Sequence, residues 1–61
     1  MKQITIDYIQ HLASFLDAKS IKWTSNTIDG KTDTITIYYY TAEELFKVAF
    51  EFGQFYATIT E

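Results

Sequence analysis

His11 follows Asp7 at a spacing of four, the one place in the sequence where a carboxylate could orient an imidazole for general-base work. On a helix that spacing is an ordinary polar neighbour pair, and no nucleophile is recognisably arranged with it. Ser14, Ser20 and Ser25 lack the flanking glycines of a nucleophile elbow, and neither Gly30 nor Gly53 belongs to a phosphate-cradling loop. One histidine, no cysteine and scattered carboxylates give no ligand spacing of the zinc or calcium kind. The expectation is a protein without catalytic residues, cofactor or metal, and so not an enzyme.

Two further groups of residues could bind rather than react. Tyr38, Tyr39 and Tyr40 invite comparison with aromatic platforms that stack the bases of single-stranded nucleic acid. All five basic residues are lysines and the net charge is -3, which disfavours phosphate contacts, so nucleic acid is the alternative and not the leading partner. Glu43, Glu44, Glu51 and Glu61 fall along one helical stripe, a solvated face that could also meet a basic surface. Tyr38, Tyr40, Glu43, Glu44 and Glu51 are therefore the candidate contacts to a larger protein.

The elements that must position these residues are few. A chain of 61 residues forms one domain, residues 1–61, and buries only about 60% of the surface its unfolded form exposes. Disulfides and metals being excluded by composition, association is the remaining source of added stability. Ile6, Tyr8, Ile9, Leu12, Ala13, Phe15 and Leu16 share one half of a helical cylinder, which predicts an amphipathic helix over 6–18 with Thr5 as its cap. Period-two patterning over 20–40, interrupted by Asp29-Gly30, predicts a β-hairpin. A three-residue loop, Ile28-Asp29-Gly30, would pair Trp23 with Ile35 and Ile21 with Ile37, gathering the apolar residues and Tyr39 on one face. Thr41-Ala42-Glu43-Glu44 reads as a capping box, with Tyr40 and Leu45 as a hydrophobic staple. The polar residues from Glu43 to Glu61 fall on one arc, predicting a single helix nearly to the C-terminus; the competing reading makes residues 55–60 a third strand. The expected fold class is α+β, in the order α-β-β-α, with both helices on one face of the hairpin and completion by homodimerisation.

If the last helix is continuous, its apolar residues span roughly 220° of circumference, more than one hairpin and one helix can cover. Ala42, Ala49, Gly53 and Ala57 align along this arc, with Phe46, Phe50 and Tyr56 beside them. Small residues at a spacing of four let two backbones approach, and the aromatics supply burial. Phe46, Ala49, Phe50, Gly53, Tyr56 and Ala57 are thus the expected interface with a second copy. Two copies could instead join strands 32–40 into a four-stranded sheet. No apolar run is long enough to span a membrane and Met1-Lys2-Gln3 does not lead into a signal-peptide core, so a cytoplasmic location is expected. Small size, acidity and lack of catalytic groups suit an inhibitor or adaptor that binds a larger protein, such as a phage or mobile-element inhibitor of a host system.

Overall fold

A computed structural model describes residues 1–60, the side chain of Thr60 excepted. The chain runs β1 (Lys2–Asp7), α1 (Leu12–Ala18), β2 (Trp23–Ile28), β3 (Lys31–Tyr39) and α2 (Ala42–Thr60). It is a small α+β fold of two helices and a three-stranded antiparallel sheet in the order β1-β3-β2.

The expected order α-β-β-α is corrected at its start, where residues 2–7 form a strand and the helix begins only at Leu12. Ile4-Thr5-Ile6 is a β-branched alternation that suits a pleated surface, and β3 completes its ladder. Ile4 lies opposite Ile37, Thr5 opposite Thr36 and Ile6 opposite Ile35. Thr5 is therefore not a helix cap. Its Oγ1 lies 2.8 Å from the Oγ1 of Thr36, a cross-strand hydroxyl pair on the polar face.

The ends of helix α1 are closed by backbone geometry, without a side-chain cap. His11 precedes it in the left-handed conformation, with φ of 71° and no side-chain cap bond. At the other end the Ile21 amide donates to the Leu16 carbonyl at 2.9 Å and the Ser20 amide to the Asp17 carbonyl at 3.1 Å. These two bonds form a Schellman closure with Ser20, φ 59°, in the left-handed position that glycine usually fills. Asp17 also accepts a hydrogen bond from Trp23 Nε1 at 2.8 Å, tying the helix to the start of β2.

The hairpin closes with two residues and not three. Ile28 pairs with Lys31, and both Asp29 and Gly30 have positive φ, as a type I′ turn requires. A two-residue loop alone would divide the apolar residues between faces. The ladder avoids this by a bulge: Asn26 faces Thr34 whereas Thr27 faces Thr32, leaving Asp33 as the extra residue. The Asp33 carbonyl accepts a bond from the Tyr8 amide at 3.0 Å. Beyond the bulge Trp23 pairs with Ile37 and Ser25 with Ile35, replacing the expected Trp23–Ile35 and Ile21–Ile37 pairs. Because the shift is by two, Trp23, Ile35 and Ile37 still share a face.

Both helices pack on that face. The core is Leu12, Phe15, Leu16, Ile35, Ile37 and Phe52, with Ile6, Ile9, Ile21, Trp23, Leu45, Val48 and Tyr56 partly buried against it. The other face carries Gln3, Thr5, Thr24, Asn26, Thr34, Thr36 and Tyr38. The result is a slab 34 × 34 × 17 Å with a radius of gyration of 11.7 Å, against about 10.5 Å for a compact chain of this length.

Candidate interaction surface

Helix α2 forms as its capping residues dictate. Thr41 Oγ1 accepts a bond from the Glu44 amide at 3.1 Å, and Glu44 Oε1 accepts from the Tyr40 amide at 3.4 Å, one residue earlier than in the usual box. From there a single helix runs through Gly53 to Thr60, so residues 55–60 are not a strand.

One side of α2 is spent on the core. Phe52 is 8% exposed, and its ring lies 5.3 Å from Phe15, 6.3 Å from Phe55 and 5.6 Å from Tyr56. Phe15 also reaches Phe55 at 5.4 Å, and Lys19 at the end of α1 pairs with Glu51 at 3.3 Å. The chain's own first helix thus covers Phe52 and one side of Phe55, which stays 39% exposed. It does not cover the neighbouring flank, where Phe46 is 75% and Phe50 60% exposed, with Ala49, Gly53 and Ala57 exposed beside them. Exposed phenylalanines one turn apart on one flank form a contiguous apolar strip of the kind that marks interaction sites.

Five of the six expected interface residues lie together on this flank. Tyr56 does not: it is half-buried and turned toward Phe52. Gly53 adds a separate observation. A Cβ built on it meets nothing within 4 Å, so no packing inside the chain requires a glycine there. A glycine within a helix costs about 1 kcal/mol relative to alanine.

Between α2 and the segment joining β1 to α1 lies an apolar cleft of about 210 Å³, walled by Leu45, Val48 and Ala49 on one side and Ile6, Ile9 and Leu12 on the other. The sequence reading missed it, because Ile6 and Ile9 were assigned to a helix; the Ile4-Thr5-Ile6 alternation is the signal that identifies the strand wall. The chain exposes 4560 Å², against about 4100 Å² for a compact monomer of 7.1 kDa.

The remaining candidates are scattered or already engaged. Tyr38 stands on the polar sheet face with Lys22 Nζ 5.3 Å from its ring centroid, Tyr39 is half-buried opposite Lys2, and Tyr40 is 65% exposed in the loop before α2. The three tyrosines therefore make no common platform. Of the acidic stripe, Glu44 serves the cap, Glu51 pairs with Lys19 and Glu43 is exposed; Glu61 lies outside the described residues. Asp7 ends a strand and His11 precedes a helix, so the expected one-turn helical pair does not form. Strand β3 is bonded on both sides, which leaves strands 32–40 no free edge for a second copy. Among the described residues no three His, Asp or Glu side chains are grouped to hold a metal, and no helix is long and apolar enough to cross a membrane. Comparison with family models, with curated proteins and with solved structures yields no match.

Proposed function

We propose that the chain is a non-catalytic protein–protein interaction module that pairs with a second copy of itself through the Phe46–Phe50–Gly53 flank of α2. The observation that carries this reading is the exposure of Phe46 and Phe50 beside a helix-interior glycine that nothing within the chain requires. The exposed parts of the two rings amount to on the order of 250 Å². Adding Ala49, Gly53 and Ala57 and the rim of the cleft brings the area to on the order of 500 Å² per partner, the lower end of specific interfaces, so the pairing is expected to be weak. In this reading the pair, acidic and with Tyr40 and Glu43 still exposed on each copy, acts as a cytoplasmic inhibitor or adaptor toward a larger protein.

The test is the concentration dependence of the melting temperature, since association stabilises the folded state by mass action. The wild-type chain is expected to melt at higher temperature as concentration rises, and Phe46→Ser or Phe50→Ser to remove that dependence without loss of helix content. Ile28→Ser, which alters an exposed apolar residue at the hairpin tip, is expected to keep it. A wild-type melting temperature indifferent to concentration contradicts the proposal.

A further inference from the structure

The cleft beside α2 has walls of isoleucine, leucine, valine, alanine and phenylalanine side chains, which offer a water molecule no hydrogen-bond partners. An apolar cavity of roughly 150 Å³ stays dry and takes up a benzene molecule. At about 210 Å³ this cleft has room for one aromatic ring.

We infer that the cleft receives the Phe46 ring of a second copy, in a dimer whose two-fold axis runs nearly parallel to α2. This rests on the helix-paired reading above and adds its geometry. Ala49 both lines the cleft and is exposed on the flank, so the two surfaces are continuous. On a helical wheel Phe46 and Phe50 lie to one side of the Ala49–Gly53 line, while Leu45, Val48 and Phe52 lie to the other. A two-fold axis along the helices keeps equal residue numbers level and sets each side of that line against the opposite side of the partner. Phe46 of each copy then arrives beside Leu45 and Ala49 of the other, at the mouth of the cleft. An axis perpendicular to both helices and level with Val48 instead sets Phe46 and Phe50 against the same pair and leaves both clefts open.

Three observations support the first arrangement. Phe46 is the most exposed phenylalanine on the flank, so it is free to insert without disturbing its own core. The small side chains of Ala49, Gly53 and Ala57 let the helix axes approach within reach of a ring. Each copy presents one ring and one receptacle, so the contact is reciprocal and closes at two chains.

The experiment is isotope-filtered NMR on the wild-type chain, mixing copies with carbon-13-labelled methyls on a deuterated background with unlabelled copies. Intermolecular Overhauser effects are expected from the Phe46 ring to the methyls of Ile9 and Leu45. A dimer that shows no ring contact to those methyls overturns the inserted-ring geometry but leaves the helix pairing standing. A monomeric mass in the same sample overturns both. Val48→Phe, which fills the cleft from its own wall, is expected to weaken pairing at least tenfold while keeping the far-UV dichroism of the fold; an unchanged dissociation constant in a folded variant also overturns the inference.

Discussion

Replacing Gly53 by alanine should push the monomer and the pair in opposite directions. In the single chain the added methyl meets nothing within 4 Å, so no clash offsets the gain in helix propensity, about 1 kcal/mol. Unfolding entropy is about 2.1 cal/mol/K per residue, or roughly 0.13 kcal/mol/K for this chain. Dilute Gly53→Ala is therefore expected to melt about 8 °C above dilute wild type. If two copies pair through this flank as proposed, the same methyl lies in concentrated solution where two helices approach most closely, and the advantage should shrink or reverse. Thermal melts followed by circular dichroism at low micromolar and near-millimolar concentration measure both limits. A lower melting temperature in dilute solution would show that Gly53 is crowded within its own chain. A gain equal at both concentrations would show that the position is not at an interface.

Other substitutions probe the elements that present this flank. Ser20→Gly relieves a left-handed serine in the α1 closure and is expected to stabilise the fold by roughly 0.5–1 kcal/mol, read from urea unfolding. Thr41→Ala removes the cap of α2 and is expected to cost about 1 kcal/mol, with amide exchange accelerated in the first turn of that helix. Leu16 of α1, fully buried in the core, is expected to cost about 3–5 kcal/mol on truncation to alanine. That is comparable with the whole stability of a domain this size, about 3–9 kcal/mol, so dilute Leu16→Ala should be largely unfolded by circular dichroism.

How much of this was legible depended on whether a signal was local. Thr41 and Glu44 announce the start of α2 through bonds within one turn, and the sequence reading placed that helix correctly. The face shared by Trp23, Ile35 and Ile37 was also readable, because alternation fixes faces even when register is wrong. The register itself turned on the bulge at Asp33, whose carbonyl is bonded to Tyr8 in a strand the sequence reading had not recognised. Residues 2–7 were misread because Thr5 and Asp7 suit a helix start as well as a strand, and only the pairing of Ile4 and Ile6 with Ile37 and Ile35, some thirty residues away, decides between them. The exposed flank of α2 was legible as an excess of apolar circumference. The cleft was not, since one of its walls is that first strand and the turn after it. Tyr56 was placed on the wrong side for a related reason: on a wheel it borders both flank and core, and the rings of Phe15, Phe52 and Phe55 draw that side inward.

Sedimentation equilibrium of the wild-type chain, from micromolar to millimolar concentration, weighs the claim that the Phe46 and Phe50 flank is covered by another copy. The account predicts a mass that rises from 7.1 kDa toward twice that value and stops there. A single 7.1 kDa species at the highest concentration would contradict it.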